Sequence, residues 1–462
     1  MLYSKFTADE LSDWTRGSWL FGKPTEITGI SSDTRTIEKG NIFVALQGDN
    51  FDGHKFLRQA HEAGASSAIV DRAALDVSDR FMPLLVTGDT KKSLLMAAHG
   101  YRQKLAMTVV GVTGSAGKTT VKEMTAEVLS SKYKTARTRG NWNNDIGLPL
   151  SLLGAGLKTD MGIFELGTNH PGEIRALSSV LLPDIGIVTC VGAAHIEHFG
   201  SVRNIAIEKS ELFKSLPSSG VAILNRDDEY ADILKKSVSC RFLTVSLKNK
   251  ADFYGTEDID GGYRFYRAAT NESISVKLNL YGVHNYLNAL FAMAAGCLAG
   301  VDLDDIRLRL EGFKSLPMRG EKIELRGVSF INDAYNANPV SMRASVRGFA
   351  ELERSGEKWL VLSDMLELGD FSESAHKELG RYIAQWDWAG LIVFGSFGGL
   401  IGEGAIEKGF SREKVFLFLS SEEIAGFLSI RLSPGDIVLL KASRSMNLES
   451  VIKEFNCSDD IL

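Results

Sequence analysis

A glycine-rich turn between an apolar run and a helix-like pattern has the residue types that hold a phosphate chain. Residues 109–124 read VVGVTGSAGKTTVKEM. Glycines at such a turn let backbone N–H groups close around phosphate oxygens, and the helix N-terminus adds the positive end of its dipole. We expect the ammonium of Lys118 to reach the β- and γ-phosphate oxygens and the hydroxyl of Thr119 to bind Mg²⁺. The predicted phosphate-binding residues are Gly114, Ser115, Ala116, Gly117, Lys118, Thr119 and Thr120.

The turn departs from a strict Walker A motif, which has a glycine five residues before Gly117, where this chain has Val112. The alternative is a tight turn whose glycines serve backbone geometry alone. A phosphate loop must follow a strand and open a helix, and the apolar run and the helix-like pattern supply that context. We therefore interpret the stretch as a variant phosphate loop.

Five further residues have metal-binding or charge-carrying chemistry. Glu165 ends the apolar run MGIFE, where a carboxylate could bind Mg²⁺ near the phosphates, although a lone acid at the end of a sheet is more often solvated. His195 and His198 follow the next run; with Cys190 they suggest zinc, but their spacing matches no standard zinc site, and a histidine that binds magnesium or neighbours phosphate fits better. Lys209, in NIAIEKSELF, has the spacing of an ordinary solvated helix lysine.

Composition and charge exclude several classes of protein. The chain has 462 residues, 44% of them hydrophobic, a net charge of −6 and four widely spaced cysteines. That length suggests roughly three domains, and the interspersed charge leaves no basic surface for nucleic acid. No apolar run approaches the roughly 20 residues that span a bilayer, and the N-terminus has no signal-peptide core. We expect reduced thiols and a cytoplasmic protein without nucleic-acid or membrane partners.

The elements that would position these residues alternate between strand and helix, which predicts an α/β fold. After a small α/β module, strands are predicted at 107–114, 161–167, 184–192 and 220–228, and a helix at 285–300. Such apolar runs are typical of parallel strands buried on both faces, with polar residues at the ligand-binding carboxyl ends. A break containing Pro317 and Gly320 precedes a third strand–helix region.

These segments together resemble the Mur ligase family, the ATP-dependent amide-bond ligases of bacterial cell-wall precursor synthesis, over nearly the whole chain. GVTGSAGKTT looks like the family's own loop, G-x-x-G-x-x-G-K-T. The resemblance implies three domains: a small N-terminal α/β domain for UDP at 1–104, a central P-loop-type, mostly parallel-sheet ATPase domain at 105–314, and a C-terminal Rossmann-like α/β domain for the incoming dipeptide at 315–462.

The resemblance also implies roles for the metal candidates and for ATP. Glu165 and His195 match the family's magnesium ligands, and Lys209 matches a lysine carried as a CO₂-derived carbamate, which reverses its interpretation as a solvated residue. A carbamate turns an ammonium into an anion that can help to bind a second Mg²⁺, and it needs a lysine that can become neutral. Lys118, Lys209, His195 and Glu165 are the implied catalytic residues. GVHNYLNALFA resembles the adenine-side motif, and the further ATP-binding residues are Asn285, Asn288, Arg319 and Asp333.

Four stretches favour the branch of the family that adds D-alanyl-D-alanine to UDP-N-acetylmuramoyl-tripeptide through an acyl phosphate. They are residues 31–65, GNWNNDIGLPLSLL, ELGTNHPGEI and INDAYNANPVSMRA, and SDMLELGDFSESAH supports them. The D-N-P-[RA] element of the sister ligase is not found. One departure is Ala442 in KASR, where the family usually has glycine.

The implied contacts to the UDP-sugar and the muramoyl peptide each have a structural alternative. Ser32, Thr34 and Arg35 would lie near the UDP-sugar, or belong to a capped turn with an Asp33–Arg35 pair. Asn144 would contact the muramoyl peptide or cap the backbone.

At the dipeptide end, Asn336 and Asn338 would orient D-alanyl-D-alanine, and the guanidinium of Arg444 would pair with its carboxylate. We expect a monomer. Two competing functions stay open: another ligase of the superfamily, such as a folylpolyglutamate synthase or a sister Mur ligase, and a non-catalytic P-loop switch.

Overall fold

The computed structural model describes residues 5–48, 51–74, 80–259, 261–353 and 356–457. Within these ranges the chain forms three main sheets in sequence order, each with its own helices. The three-domain α/β architecture predicted from the sequence is confirmed. The domain limits at 104/105 and 314/315 stay predictions.

The N-terminal sheet has five strands in the order β1-β7-β6-β3-β2, parallel except for β1, and β4 and β5 form a separate antiparallel pair. The strands are β1 Ser18–Leu20, β2 Gly29–Ser31, β3 Asn41–Val44, β4 Gln47–Gly48, β5 Phe51–Asp52, β6 Ser67–Asp71 and β7 Leu84–Thr87, and the helices are α1 Ala8–Thr15, α2 Leu57–Glu62 and α3 Thr90–Lys104.

The central sheet has nine strands in the order β16-β15-β14-β13-β12-β11-β8-β10-β9. It is parallel from β9 to β14 and antiparallel from β14 to β16. The strands are β8 Thr108–Thr113, β9 Thr135–Arg137, β10 Met161–Glu165, β11 Ile185–Val188, β12 Val221–Asn225, β13 Arg241–Ser246, β14 Phe253–Glu257, β15 Tyr263–Arg267 and β16 Glu272–Val276. The helices are α4 Lys118–Ser130, α5 Gly147–Leu153, α6 Glu173–Leu181, α7 Ile196–Phe199, α8 Val202–Lys214, α9 Ala231–Lys236, α10 Val283–Leu298 and α11 Leu303–Glu311.

The C-terminal sheet has six strands in the order β17-β18-β22-β19-β20-β21, parallel except for β17. The strands are β17 Glu321–Leu325, β18 Val328–Asn332, β19 Lys358–Leu362, β20 Gly390–Phe394, β21 Val415–Phe418 and β22 Ile437–Lys441, and the helices are α12 Pro339–Ala350, α13 Ser372–Ile383, α14 Gly398–Glu407, α15 Ser421–Arg431 and α16 Ser450–Cys457.

The central sheet is buried on both faces, as the continuous apolar runs predict. Successive residues of β8 belong to different hydrophobic clusters. Val109 packs in the cluster that contains residues of α5, α6 and α8, and Val110 packs in the cluster that contains residues of α4 and α10. The first of these clusters continues into the other two domains, where it includes Tyr101 of α3 and Met342 of α12. A continuous apolar core therefore holds the three domains around the central sheet.

The four predicted central strands and the helix at 285–300 are confirmed. The antiparallel extension formed by β14, β15 and β16 was not anticipated from the sequence. Among the helices of the described ranges, none combines the length and the apolar composition that crossing a bilayer would require.

Candidate functional site

A cavity of about 770 Å³ opens at the carboxyl ends of β8, β10, β11 and β12, and all three domains line it. Lys91 of α3 comes from the N-terminal domain, and the loop at 115–120 and Glu165 come from the central sheet. Asp333 and Lys441 come from the C-terminal domain. Crevices at the carboxyl edge of parallel sheets are the usual ligand sites of α/β proteins.

The phosphate loop has the backbone conformation that its glycines allow. Gly117 caps α4 with φ +80°, and a Cβ atom there would lie 2.7 Å from Oδ1 of Asn288. A side chain at this position would therefore meet both a left-handed backbone and a steric clash. The Lys118 ammonium donates to the carbonyl of Gly114 at 2.9 Å, and burial lowers its pKa, against the opposing charge of Glu165.

Neighbouring segments fix the outer side of this loop. Ser115 Oγ donates to the carbonyl of Gly192, and Thr189 Oγ1 donates to that of Ala116. From the C-terminal domain, Nδ2 of Asn338 donates to the carbonyl of Ser115 at 3.0 Å. Oδ1 of Asn338 meanwhile accepts from the backbone of Ser341 and caps α12. Asn338 therefore joins the start of a C-terminal helix directly to the phosphate loop, and its predicted dipeptide role stays a prediction.

Glu165 is buried at the end of β10, with 1% of its surface exposed. Its Oε1 accepts from Nδ2 of Asn143 at 2.8 Å, while Oε2 is buried without a hydrogen-bond partner in the described part of the chain. The alternative of a solvated sheet-end acid is therefore wrong. A buried carboxylate oxygen without a partner is costly, and a cation is one group that satisfies it.

His195 lies in the loop after β11, where it begins α7 with φ +56°. Its Nδ1 lies 2.5 Å from Oε2 of Glu367 in the C-terminal domain, a close approach of an imidazole nitrogen and a carboxylate. The neighbouring rings of His170 and His198 lie 4.3 Å apart. His195 and its two histidine neighbours lower the pKa of Glu367.

Lys209 lies on α8 with 2% of its surface exposed, so its interpretation as a solvated helix lysine is wrong. Burial lowers the pKa of its ammonium to about 7; the charge of Lys118 adds to this effect, and Cys190 and Glu208 oppose it. The described residues offer this ammonium no hydrogen bond or ion pair. At neutral pH a large fraction of Lys209 is therefore the neutral amine.

The zinc alternative gains no support from the geometry. Across the described ranges, no three His, Cys, Asp or Glu side chains are arranged to hold a metal ion. The predicted magnesium ligands differ from such a set, because they include a threonine hydroxyl and carbamate oxygens. Cys190 faces the carbonyl of Ala116, and burial raises the pKa of its thiol.

The further predicted ATP residues line the same cavity, and Asn288 lies against Gly117 of the phosphate loop. Nδ2 of Asn288 donates to Oδ1 of Asn285, and Asn285 donates to the carbonyl of Tyr281. The guanidinium of Arg319 lies over the ring of Tyr335, 3.9 Å from its centroid. This stacking leaves the edge of the guanidinium free to donate hydrogen bonds.

Asp333 is held by three groups of two domains. Its Oδ2 accepts from Lys441 Nζ at 2.6 Å, from Ser345 at 2.8 Å and from the Tyr281 hydroxyl at 3.4 Å. Tyr281 belongs to the segment before α10, whereas Lys441 and Ser345 belong to the C-terminal domain. The network therefore joins the third domain to the adenine-side segment.

The structural alternatives for two predicted substrate contacts are both present in the structure. Asp33 accepts from the backbone and the guanidinium of Arg35, which lowers the pKa of Asp33 to about 2. Oδ1 of Asn144 accepts from the backbone of Gly147 at 2.8 Å and caps α5, although Asn144 also lines the cavity. Ser32 and Thr34 lie in the same turn as Arg35 and outside the cavity wall. The UDP-sugar and muramoyl-peptide roles stay predictions.

Two residues that are predicted to bind the dipeptide lie in different surroundings. Asn336 lines the cavity and is exposed. Arg444 lies outside the cavity wall, where its guanidinium donates to Glu449 at 2.7 Å. A role for Arg444 in binding a carboxylate requires it to exchange that partner.

Sequence reasoning missed three residues that complete the site. Asn143 orients Glu165, Lys441 holds Asp333, and Glu367 contacts His195. Each lies inside a stretch that the sequence analysis singled out, namely NWNND, KASR and DMLELG. Their roles depend on contacts between segments distant in the chain, which local patterns do not report.

Comparison with known protein families gives matches along most of the chain. Residues 26–101 match the catalytic domain of the Mur ligase family, residues 112–296 the Mur ligase middle domain, and residues 318–444 the Mur ligase glutamate ligase domain. These three ranges correspond in order to the three sheets.

Full-length relatives and solved structures agree with these matches. The UDP-N-acetylmuramoyl-tripeptide–D-alanyl-D-alanine ligase of Bacillus subtilis is 37% identical over 434 residues, which cover 93% of each chain. The crystal structure of MurF from Acinetobacter baumannii superposes with a TM-score of 0.89 at 32% identity, over 98% of both chains. MurF from Thermotoga maritima, solved in complex with ADP, gives a TM-score of 0.80 at 29% identity, over 93% of this chain and 97% of that one.

Burial of Lys209 predicts a pH-dependent stability. Its pKa is about 7 in the folded chain and 10.5 as the unperturbed value, so between these pH values the unfolded chain binds a proton that the folded chain lacks. The free energy of unfolding then rises with pH, by up to about 1.4 kcal/mol per pH unit. Lys209→Met removes this rise, so its stability advantage over the original chain should be largest near pH 7 and shrink toward pH 10.

The measurement is urea unfolding at pH 7, 8, 9 and 10 in buffer free of carbon dioxide, so that the free amine is studied. Lys214→Met is the control, because Lys214 ends the same helix and is partly exposed in a pair with Glu211. An equal pH dependence in the original chain and in Lys209→Met would contradict the prediction.

Proposed function

The chain belongs to the Mur ligase family, and we propose on this basis that it joins D-alanyl-D-alanine to UDP-N-acetylmuramoyl-tripeptide at the expense of ATP. The products are the UDP-muramoyl-pentapeptide of peptidoglycan synthesis, ADP and phosphate. The proposal rests on one cavity in which a phosphate loop, a buried acid and polar groups of the third domain meet. We further propose that the enzyme works as a monomer in the cytoplasm.

The chemistry needs an activated acid, because a carboxylate and an amine do not condense unaided in water. A carboxylate oxygen of the tripeptide attacks the γ-phosphorus of ATP, and the bond to ADP breaks as the acyl phosphate forms. The amine of D-alanyl-D-alanine then attacks the acyl carbon and gives up a proton. The tetrahedral intermediate expels inorganic phosphate and leaves the new amide.

The first step brings two anions together, so the site must supply positive charge. The ammonium of Lys118 is bonded to the loop carbonyl of Gly114 and would transfer to the phosphates when they enter. Arg319, stacked on Tyr335 at the cavity wall, would approach them from the C-terminal domain. The same domain would exclude water, which otherwise hydrolyses an acyl phosphate.

The residues present fit magnesium. Glu165 offers a buried carboxylate oxygen without a protein partner, and the hydroxyl of Thr119 lies on the first turn of α4 at the cavity wall. We propose that Thr119 and Glu165 hold one Mg²⁺ and that His195 and a modified Lys209 hold a second. When bound, these ions would neutralise the phosphate charges.

A carbamate on Lys209 fits its surroundings for a separate reason. Carbon dioxide reacts with a neutral amine, and the buried ammonium of Lys209 has a pKa of about 7. The resulting anion would lie near Lys118, whose charge opposes an ammonium at position 209. The modification would thus replace a disfavoured cation with an anion that the neighbouring charge stabilises.

The substrate contacts are distributed over the three domains in this proposal. Ser32, Thr34 and Arg35 would bind the UDP-sugar and Asn144 the muramoyl peptide. Asn336, Asn338 and Arg444 would orient the dipeptide. Asn285, Asn288, Arg319 and Asp333 would bind the nucleotide.

The deciding experiment measures phosphate release from ATP and Mg²⁺ with the two co-substrates supplied singly and together. UDP-muramoyl-tripeptides with lysine and with meso-diaminopimelate are both tried. We expect phosphate release only when tripeptide and D-alanyl-D-alanine are both present, with the pentapeptide identified by its mass. Phosphate release with a different amino acid as acceptor would indicate that the chain is a sister ligase. Bound ATP without release in any combination would favour a nucleotide switch.

The carbamate is tested by activity at defined bicarbonate concentrations. We expect Lys209→Ala to lose at least about 100-fold in kcat, since it removes a proposed metal ligand, and short carboxylates to restore part of the rate. Lys214→Ala, on the same helix, should retain full activity. Full activity of Lys209→Ala, with no effect of bicarbonate or short carboxylates, would refute the assignment.

The phosphate loop is tested by a matched pair of glycine variants. Gly117 and Gly172 both cap helices with positive φ, but a Cβ atom at Gly172 would meet nothing within 4 Å, whereas one at Gly117 would clash with Asn288. Gly117→Ala should weaken ADP binding by at least about tenfold, or ~1.4 kcal/mol, and Gly172→Ala should leave it within about twofold. Isothermal titration calorimetry measures both, and equal losses would show that backbone strain alone is responsible.

A further inference from the structure

The central and C-terminal domains meet beside His195 in a small contact that the proposed reaction leaves without a role. One side consists of residues 195–198 and the other of residues 367–369; we call this contact the clasp. Its side-chain part is the 2.5 Å approach of His195 Nδ1 and Glu367 Oε2. Its backbone part is a hydrogen bond from the N–H of Glu197 to the carbonyl of Glu367 at 3.3 Å.

Close packing adds a third contact to the clasp. Gly369 has φ +52°, and a Cβ atom there would lie 3.1 Å from the side chain of Glu197. A Cβ atom at this position would therefore require the side chain of Glu197 to shift by a few tenths of an ångström. Side-chain, backbone and packing contacts thus all align the same two short segments.

Both segments of the clasp also contain strained backbone. His195 has φ +56° and Glu367 has φ +61°, values that L-residues other than Asn and Asp adopt rarely. Two such residues face each other across the domain boundary. Strain of this kind persists where surrounding contacts enforce it, and it is concentrated at functional sites.

The property of His195 that the clasp would control is the position of the proton on its imidazole ring. A neutral histidine has one N–H, and a carboxylate beside one ring nitrogen draws the proton to that nitrogen. A carboxylate at Nδ1 of His195 thus favours the tautomer whose lone pair is on Nε2. Carboxylates in this arrangement orient metal-binding histidines in many proteins, and His195 lines the cavity whereas Glu367 lies outside its wall.

We propose that Glu367 is a positioning residue that holds Nδ1 of His195 and presents Nε2 to the cavity. Because Glu367 belongs to the C-terminal domain, His195 is correctly oriented only when that domain is docked. The clasp thereby links the arrangement of the third domain to the central metal site. The metal in this inference rests on the proposed function, whereas the contact between Glu367 and His195 is present in the structure.

The test compares Glu367→Ala and Glu367→Gln with Asp370→Ala, a control that removes an exposed acid three residues away in the same segment. The first measurement is ¹⁵N NMR of the imidazole nitrogens in the metal-free, nucleotide-free protein, with the His195 signals assigned by their loss in His195→Gln. We expect the Nδ1–H form in the original chain and in Asp370→Ala, and a mixture of both forms in Glu367→Ala.

The second measurement is the Mg²⁺ concentration that gives half-maximal ligase activity. It should rise about tenfold or more in Glu367→Ala, less in Glu367→Gln, and remain unchanged in Asp370→Ala. An unchanged His195 tautomer together with an unchanged Mg²⁺ requirement in both Glu367 variants would overturn the proposal. If the original chain had no ligase activity, the proposed function would fail, while the NMR comparison would still decide whether Glu367 sets the tautomer.

Discussion

Burial of charge at the carboxyl edge of the central sheet is the constraint on which the rest of the site depends. Glu165 and Lys209 are almost fully buried, and burial lowers the pKa of Lys118 as well as that of Lys209. Charges in such surroundings are costly unless they find partners. The protein supplies only part of the compensation, because one oxygen of Glu165 has no hydrogen-bond partner among the described residues. A site of this kind is stabilised by a charged ligand.

The three-domain architecture follows from what that ligand site needs. The edge of the parallel sheet offers backbone N–H groups and strand-end carboxylates, but a single sheet cannot enclose a nucleotide and two further substrates. The C-terminal domain closes one side through Asn338 on the phosphate loop and through the Asp333–Lys441 network beside Tyr281. The N-terminal domain closes another side through α3, which packs against α5 and α6. Each domain therefore contributes a wall of the cavity.

The elements that the sequence predicted well are those set by local physics. The phosphate loop was predictable because its glycines and its lysine lie together between a strand and a helix. The central strands were predictable because burial on both faces requires continuous apolar runs. Lys209 could not be predicted in this way, since its helix spacing is that of a solvated lysine. Its burial beside Lys118 and Cys190 depends on segments that are distant in the chain. Asp33 and Arg35 show the converse, because two residues this close in sequence can pair without help from distant segments.

The two buried lysines constrain each other, which connects nucleotide binding to the state of Lys209. The charge of Lys118 lowers the pKa of Lys209, so the two ammonium groups disfavour each other. A phosphate bound at the loop would hold Lys118 as the cation, and that charge would continue to lower the pKa of Lys209. Coupling between two sites is reciprocal, so an anion formed at Lys209 would in turn stabilise the ammonium of Lys118. A charged Lys118 therefore favours a neutral or carbamylated Lys209, and the reverse holds as well.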